Sequence, residues 1–278
     1  MFFPQNIGVS EVTCVTRVMV GGVTSLASRL PGYAAVRRVD STGSTNADLL
    51  ADAAAPAFTV LVAGAQTAGR GRLGRPWASP PGTQSIMSVL LRPGKAQLDR
   101  LGTVPLTAGL AVLDAVREIS GVTDGPALKW PNDVLWNGRK LCGILAEAAG
   151  FPEDPRVVVG LGVNVSLTQE QLPVPHATSL ALEGVAVEVD DMTVAALGAL
   201  HRRIGQWASG DRTFMDDYRR ECITIGKPVR VATATGDLFG EVTDVAPDGR
   251  IDLLTTDGER HLISAGDVTL LRRSDTSY

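Results

Sequence analysis

The stretch Gly69-Arg70-Gly71-Arg72-Leu73-Gly74-Arg75, followed by Pro76 and Trp77, is the feature around which the rest of the chain can be interpreted. Three glycines and three arginines share its seven positions, in a chain of 278 residues that has 22 arginines and four lysines. Glycine at this density disfavours a packed helix or strand but lets backbone N–H groups approach a ligand, and arginine supplies a planar fork that matches carboxylate and phosphate oxygens. We interpret residues 69–75 as an anion-binding loop; the alternative is an exposed, flexible loop with incidental charge.

The position of this arginine loop between two predicted strands favours ligand binding. The apolar run Phe58–Ala65 predicts a buried strand that ends at Gln66, and Gln84–Leu91 predicts the next strand. A connection of about eighteen residues therefore joins two neighbouring strands, and compact domains seldom carry so long a loop without a function for it.

The composition predicts a folded globular protein of one or two domains, with 44% hydrophobic and 20% charged residues. A net charge of −4 argues against a general nucleic-acid binder, whose affinity comes from a basic surface. The three histidines and three cysteines are widely scattered, which argues against a histidine-based hydrolase, a zinc site and a disulfide framework. No apolar run reaches the roughly 18–20 residues that cross a bilayer, and residues 1–19 make a poor signal peptide, so the sequence predicts a cytoplasmic protein without a membrane partner.

A helix start precedes the arginine loop. Ala34–Val39 predicts a strand, and the capping residues Ser44, Thr45 and Asn46 predict a helix that begins near Ser44 or Thr45 and runs to Ala55. Its free N–H groups and hydroxyls would suit a partly negative ligand oxygen, although simple capping also explains these residues.

Two lysines follow in apolar surroundings. Lys129 lies in the segment Leu128–Trp136 and Lys140 lies just after the hairpin turn Asn137-Gly138, so we expect them on adjacent antiparallel strands. A buried lysine is costly unless it meets an anion, which is either a ligand or a protein carboxylate such as Asp133 or Glu147.

The strand predicted for 157–165 carries Gly160, Gly162 and Asn164 on one face. The two glycines would leave room for a flat ligand or, alternatively, for a closely packed helix. Further helices are predicted at 101–119, 192–208 and 211–222, and five short β-like runs between 226 and 273, separated by turn signals, predict a small barrel. We therefore divide the chain into an N-terminal extension (1–33), a catalytic domain (34–224) and a C-terminal domain (225–278).

Arginines and core lysines without a histidine base suit phosphoryl or adenylyl transfer, in which positioning and charge neutralisation dominate. A Walker A motif is absent from the sequence. The spacing Gly69-x-Gly71-x-x-Gly74 matches a dinucleotide fingerprint, but Pro76 and Trp77 do not begin a helix, so we reject that interpretation.

Four segments, taken in order, resemble the motifs of the biotin protein ligases. They are the arginine loop with Trp77, Lys129-Trp130-Pro131-Asn132-Asp133, Lys140-Leu141-x-Gly143-Ile144-Leu145 and Gly160-x-Gly162-x-Asn164. The resemblance covers about Ser44 to Leu180 and implies an α+β fold. This fold has a catalytic domain like that of class II aminoacyl-tRNA synthetases, with helices on a mixed, largely antiparallel sheet, plus a small SH3-like C-terminal β-barrel. It also implies a two-step reaction, in which biotin and MgATP give biotinyl-5′-AMP and a lysine of a biotin carboxyl carrier domain then takes the biotin.

The resemblance assigns roles to individual residues. Lys129 and Arg72 would be catalytic. Biotin binding is implied for Ser44, Thr45, Asn46, Gln66, Gly69, Arg70, Gly71, Lys129, Gly160 and Gly162. ATP or adenylate binding is implied for Arg70, Arg72, Arg75, Trp77, Asn132, Lys140, Asn164, Thr178 and Ser179. No dedicated metal site is expected, and Mg²⁺ would arrive with ATP.

The implied partners are the carrier domains of acetyl-CoA, propionyl-CoA or pyruvate carboxylases, and the implied assembly is a monomer or weak homodimer. About forty residues precede Ser44, too few for the winged helix of ligases that also repress transcription, so we expect no DNA binding. Cys142 stands where the family usually has alanine. A lipoyl or octanoyl ligase or transferase of the same fold, with a cysteine nucleophile in some members, is therefore an alternative, and a nucleic-acid-binding module is a third.

Overall fold

The computed structural model describes residues 25–233, 236–264 and 266–271, so most of the predicted N-terminal extension lies outside the described residues. Within that part of the chain, one mixed seven-stranded sheet and one five-stranded antiparallel sheet are present. Four α-helices accompany them: α1 (Thr45–Ala51), α2 (Val104–Ser120), α3 (Val189–Ser209) and α4 (Thr213–Glu221).

The seven-stranded sheet has the order β1-β2-β3-β7-β6-β5-β4. Its strands are β1 (Ala35–Val39), β2 (Thr59–Ala63), β3 (Gln84–Leu91), β4 (Pro126–Lys129), β5 (Asp133–Trp136), β6 (Arg139–Ala149) and β7 (Arg156–Asn164). The pair β1–β2 is parallel and the other pairs are antiparallel. The predicted mixed sheet is thus confirmed.

The two faces of this sheet are covered unequally. The long helices α2 and α3 pack together against one face, where they bury the larger hydrophobic core. The other face carries α1, whose Leu49 packs with Leu61, Leu90 and Val158 in a smaller core. A helix of seven residues is only about 10 Å long, so it leaves part of this face open.

The predicted placement of the two lysines on adjacent strands is wrong. Instead of continuing to Trp136, the first strand ends at Lys129, the chain reverses, and Lys129 pairs with Asp133 in the hairpin β4–β5. Strand β5 then pairs with β6, which carries Lys140. Pro131 lies at the reversal because it has no N–H to contribute to a ladder. As a result, Asp133 lies on the strand that separates the two lysines.

The five predicted C-terminal strands are confirmed. They are β8 (Pro228–Thr233), β9 (Gly236–Val245), β10 (Ile251–Thr255), β11 (Arg260–Ile263) and β12 (Asp267–Leu270), in the order β11-β10-β9-β8-β12. Buried residues alternate along β8 and β10, as expected for strands with one face toward a core.

Trp130 joins the two sheets. Its side chain is buried, its backbone N–H donates to Thr224 Oγ1 at 3.0 Å, and its indole N–H donates to the carbonyl of Gly249 at 2.8 Å. Gly249 lies in the turn between β9 and β10. The tryptophan that follows Lys129 therefore ties the end of β4 to the C-terminal sheet.

We expect Trp130→Phe to lower the free energy of unfolding by about 1–3 kcal/mol, because the buried carbonyl of Gly249 would lose its donor. Urea denaturation followed by circular dichroism measures this change. Phe239→Leu, at an exposed position, is the control and should leave the midpoint unchanged. Equal urea midpoints for Trp130→Phe and the wild type would show that this hydrogen bond does not stabilise the contact between the two sheets.

Candidate functional site

The floor of the site lies where β6 and β7 pair through glycine residues, which have no side chains. Gly143 lies opposite Gly162 in the ladder, and the indole of Trp77 lies over both. A Cβ atom added to Gly162 would be 2.8 Å from the Trp77 ring, and one added to Gly143 would be 2.6 Å from it. Gly160 lies against the side chain of Asn46 in the same way. The glycines thus permit close packing of two kinds: the flat indole of Trp77 lies over Gly143 and Gly162, and the alternative of a closely packed helix is met at Gly160, against which Asn46 of α1 lies.

A cavity of about 690 Å³ opens above this floor, a size typical of small-molecule sites. Most of the residues that the sequence singled out line it. They are Ser44, Thr45, Asn46, Gln66, Arg70, Gly71, Arg72, Arg75, Trp77, Lys129, Asn132, Lys140, Gly160, Gly162 and Asn164. Separate motifs of the sequence are therefore brought together around one space.

One end of the cavity is neutral and rich in hydrogen-bonding groups. Helix α1 begins as predicted, with Ser44 as its N-cap accepting from the N–H of Ala47 at 3.4 Å. The side-chain oxygen of Gln66 accepts from the backbone N–H of Thr45 at 2.8 Å. Capping and contact with the cavity thus coincide at this helix terminus.

The three loop arginines are directed at three different walls. Arg70 lies 3.4 Å from Glu147 on β6, and Arg72 donates to Asn132 at 3.5 Å. The guanidinium of Arg75 lies 2.6 Å from the carboxylate of Asp267 on β12. Because Arg70 and Arg75 are about half exposed, these ion pairs are weak and can yield to a ligand anion.

The other end of the cavity concentrates positive charge around one carboxylate. The Nζ atom of Lys140 lies 2.6 Å from Asp133, and that of Lys129 lies 3.9 Å from it. Burial lowers the pKa of Lys129, with the Asp133 carboxylate acting in the opposite direction, and burial also lowers the pKa of Arg72. The lysines therefore do have a protein carboxylate as partner, which was the alternative to a ligand anion. However, one carboxylate is shared by two lysines. Desolvated cations at a cavity wall favour the binding of a further anion.

Three predicted ligand residues do not line the cavity, namely Gly69, Thr178 and Ser179. The Thr178 hydroxyl donates to Glu183 at 2.6 Å, and that of Ser179 donates to the carbonyl of Leu167 at 2.7 Å. Both hydroxyls are engaged in fixing their own segment. A run such as Ala-Thr-Ser-Leu does not reveal from sequence whether its hydroxyls serve a ligand or the fold.

Asn164 reaches the cavity wall, but its amide is engaged by the protein. Its Nδ2 donates to the carbonyl of Thr178 at 2.8 Å, and its Oδ1 accepts from Gln84 at 2.8 Å. This side chain holds residues 178–180 against β7. Its predicted contact with a nucleotide would require these hydrogen bonds to be shared.

Cys142 packs as a small apolar residue. Its thiol is fully buried, lies outside the cavity lining and donates to the carbonyl of Gly143 at 3.4 Å. Burial raises the pKa of the thiol to about 12. A nucleophilic thiolate is therefore strongly disfavoured at this position.

The sequence did not point to several residues of the site. Residues of β12, from Asp267 to Leu270, line the cavity although they belong to the C-terminal sheet. Ser88 and Glu147 lie just behind the wall and hydrogen-bond to Asn46. The sequence named Glu147 only as a possible partner of the lysines. The placement of both residues two positions from lining residues of the same strand is the signal that could have found them, because alternate residues share a face.

The part of the chain that the structure describes lacks a membrane-spanning helix and a metal-binding cluster. No helix in these ranges is long and apolar enough to span a bilayer. The same part of the chain contains no group of three or more His, Cys, Asp or Glu side chains arranged to hold a metal ion.

Comparison with known proteins agrees with this geometry. A model of the biotin/lipoate A/B protein ligase family matches residues 35–164, and one of the biotin protein ligase C-terminal domain matches residues 224–271. A biotin--[acetyl-CoA-carboxylase] ligase from Mycobacterium tuberculosis is 44% identical, over 87% of this chain and 91% of its own length. A bifunctional ligase/repressor BirA from Bacillus subtilis is 32% identical, over 81% and 70%.

A solved structure shares the fold. Biotin protein ligase from Aquifex aeolicus, in complex with biotin and ATP, superposes with a TM-score of 0.73 at 26% identity, covering 86% of this chain and 100% of that one. With these matches to sequence and structure, the chain belongs to the biotin protein ligase family.

Gly162→Ala should release Trp77 from the floor, because the added methyl would overlap the indole ring. Since Trp77 ends the arginine loop, we expect trypsin to cleave the loop about tenfold faster, as a loss of ~1.4 kcal/mol in local stability would give. Mass spectrometry of the early fragments measures the rate. Gly205→Ala, in open space on α3, should cleave like the wild type, and an equal rate for both variants would contradict the role of the glycine floor.

The lowered pKa of Lys129 predicts weaker anion binding at alkaline pH. Its ammonium group loses the proton below the ordinary pKa of 10.5, so affinity for an anion falls as pH rises through that lowered value. Lys129→Arg stays charged throughout and should lose this dependence. Calorimetric titration with pyrophosphate from pH 7 to pH 10.5 tests this. If the affinities of the two proteins for pyrophosphate changed with pH in the same way, Lys129 would not be the group that binds the anion.

Proposed function

We propose that this protein is an ATP-dependent biotin protein ligase. In the first step a carboxylate oxygen of biotin attacks the α-phosphorus of ATP, the bond between the α-phosphorus and the bridging oxygen breaks, and pyrophosphate leaves. In the second step the amine of a carrier lysine attacks the acyl carbon of biotinyl-5′-AMP, the C–O bond breaks, and AMP leaves. The observation that carries this proposal is a single cavity with a neutral hydrogen-bonding end and a cationic end.

The neutral end suits the ureido ring of biotin. Ser44, Thr45 and Gln66 place hydroxyl and amide groups at the N-terminus of α1, where a partly negative carbonyl oxygen is favoured. Gly160 and Gly162, which line the cavity beside Asn46 and Trp77, would lie at the edge of the bicyclic ring. The close approach of Gly69 to Trp77 would keep the loop compact above biotin.

The cationic end suits the reacting groups. Carboxylate and α-phosphate repel each other, and Lys129 with Arg72 would offset that repulsion and stabilise the charge that develops at phosphorus. The first step needs no proton transfer, which agrees with a cavity that relies on lysine and arginine. Arg70 and Arg75 would exchange their carboxylate partners for ligand oxygens as the loop closes.

The nucleotide would occupy the space between the loop and β12. Trp77 offers an aromatic face for adenine, and Asn132 and Lys140 lie on the same side of the cavity. Mg²⁺ would come as part of MgATP, held by the phosphates. The acidic groups at this end of the cavity are already paired, Asp133 with two lysines and Asp267 with Arg75, so we propose no dedicated metal site.

The finer assignments extend the same proposal. We propose that residues 34–224 form a domain like the catalytic domain of class II aminoacyl-tRNA synthetases and that residues 225–278 form an SH3-like barrel. The acceptor would be a biotin carboxyl carrier domain of an acyl-CoA or pyruvate carboxylase, and the working compartment would be the cytoplasm. Because β12 lines the cavity, the C-terminal domain would help to form the ATP site.

The competing function is acylation with lipoate, which the family description also covers, or with octanoate. A transferase that uses a cysteine nucleophile is disfavoured here because Cys142 is fully buried with a raised pKa. A lipoate or octanoate ligase that uses ATP is instead distinguished by which acid supports the reaction.

Exchange of labelled pyrophosphate into ATP tests the first step, and transfer to an apo carrier domain tests the second. We expect exchange that depends on biotin and is lost, by at least about a hundredfold, in Lys129→Ala, since one stabilising charge in such a site contributes roughly 10²–10³ in rate. Circular dichroism should show that this variant remains folded. Exchange with lipoate or octanoate but not with biotin would overturn the proposal.

A further inference from the structure

Two arginines hold the carboxyl end of α1, at the end of the helix that faces away from the cavity. Arg156, at the start of β7, donates through its guanidinium group to the carbonyl of Leu50 at 2.6 Å. Arg92, which directly follows β3, donates to the carbonyls of Ala53 at 2.5 Å and Ala55 at 3.0 Å, in the turn after the helix. Both side chains therefore bind backbone carbonyls at one end of α1.

Asp154 joins these two arginines. One of its carboxylate oxygens lies 2.5 Å from Arg92 and the other lies 3.4 Å from Arg156. We call Arg92, Asp154 and Arg156 the helix clamp. The Arg156 side chain is only 14% exposed, so removal of its guanidinium group would leave the carbonyl of Leu50 without a donor where water has little access.

A helix as short as α1 depends on such outside contacts for its position. It has seven residues, and isolated helices of that length are unstable in water. The last carbonyls of any helix lack partners within the helix, and positive charge is favoured beside them. The last turn of α1 contains no basic residue of its own. The helix clamp supplies both the donors and the positive charge from neighbouring strands.

The position of α1 matters because its amino end lines the cavity. Ser44, Thr45 and Asn46 are cavity residues, whereas no residue of the helix clamp is. Asn46 lies directly on the backbone of β7, since a Cβ atom added to Gly160 would be 2.3 Å from its Oδ1 atom. A movement of this end toward the sheet is therefore blocked, and a movement away from it would change the wall of the cavity.

The helix clamp and the amino end lie on opposite sides of one apolar anchor. Leu49 is 1% exposed and is the one buried apolar side chain of α1. A short helix with a single apolar anchor can tilt about that point, and a tilt moves both ends. Leu50 and Ser44 are only about 9 Å apart along the axis, so loss of the contact at Leu50 would also displace the residues at the cavity.

We infer that Arg156 and Arg92 are positioning residues for biotin, which act by fixing the tilt of α1; this inference rests on the proposed function. Arg156 holds the last turn of the helix, and Arg92 holds the turn that follows it. The amino end is thereby kept where its hydroxyl and amide groups meet the ureido ring. The cationic end of the cavity does not involve α1, because Lys129 and Lys140 lie on β4 and β6.

The test measures the binding of biotin and of pyrophosphate separately, by calorimetry, in Arg156→Met. We expect biotin affinity to fall about tenfold, as the loss of one partly buried hydrogen bond would give, and pyrophosphate affinity to stay within about twofold. A general loosening of the protein would instead lower both affinities. Arg156→Lys keeps a cationic donor at the end of the helix and should recover at least about threefold of the lost biotin affinity.

Arg117→Met is the matched control. The Arg117 side chain is 27% exposed, as is that of Arg92, but it pairs with Glu221 and thereby joins α2 to α4. This control should bind biotin like the wild type. Arg92→Met should weaken biotin binding in the same selective way as Arg156→Met, and it serves in place of that variant if the latter does not fold.

The outcomes separate the two proposals. A wild type that does not bind biotin would overturn the proposed function and this inference with it. A wild type that binds biotin, together with unchanged biotin affinity in Arg156→Met and Arg92→Met, would overturn this inference alone. Equal losses of biotin and pyrophosphate affinity, or a similar loss of biotin affinity in Arg117→Met, would show a general effect of removing an arginine and would also overturn it.

Discussion

The pairing of Gly143 with Gly162 is the constraint on which the rest of the site depends. Two strands meet there without side chains on one face, so Trp77 can lie on their backbones. Trp77 ends the arginine loop, and its position on the floor brings Arg70 and Arg72 to the cavity wall. Larger residues at either position would lift the indole and, with it, the end of the loop.

Above this floor, the energetics are dominated by cations that are partly removed from water. Lys129 and Arg72 have lowered pKa values because burial penalises their charged forms. Asp133 offsets only part of this cost, since it also pairs with Lys140. Joining a carboxylate to a phosphate is slow mainly because the two repel each other. A cavity whose cations are not fully neutralised by protein carboxylates is therefore suited to that reaction.

Much of the fold was predictable because its signals are local. Alternating apolar residues and turn dipeptides gave the five C-terminal strands, and the capping residues gave the start of α1 at Ser44. The reversal at Pro131 was missed because an apolar run interrupted by one proline resembles a single irregular strand. The pairing of β5 between the two lysine strands is a long-range choice that no local pattern encodes.

The site was predictable where motifs are dense in unusual residues, as in the arginine loop, and not where ordinary residues gain a role from their neighbours. Ser88 and Glu147 reach Asn46 only because β3, β6 and α1 meet there. Thr178 and Ser179 show the converse, because hydroxyls that the sequence assigned to a ligand donate hydrogen bonds within the fold. The part played by Asp267 depends on how the two sheets meet.

The most direct test of the account is a crystal structure of the protein with a non-hydrolysable biotinyl-adenylate analogue, in which a sulfamoyl group replaces the phosphate. We predict that the ureido ring lies against Thr45 and Gln66, that the sulfamoyl group lies within hydrogen-bonding distance of Lys129 and Arg72, and that the loop is closed over it. An analogue bound with its sulfamoyl group away from both cations, or outside this cavity, would contradict the account.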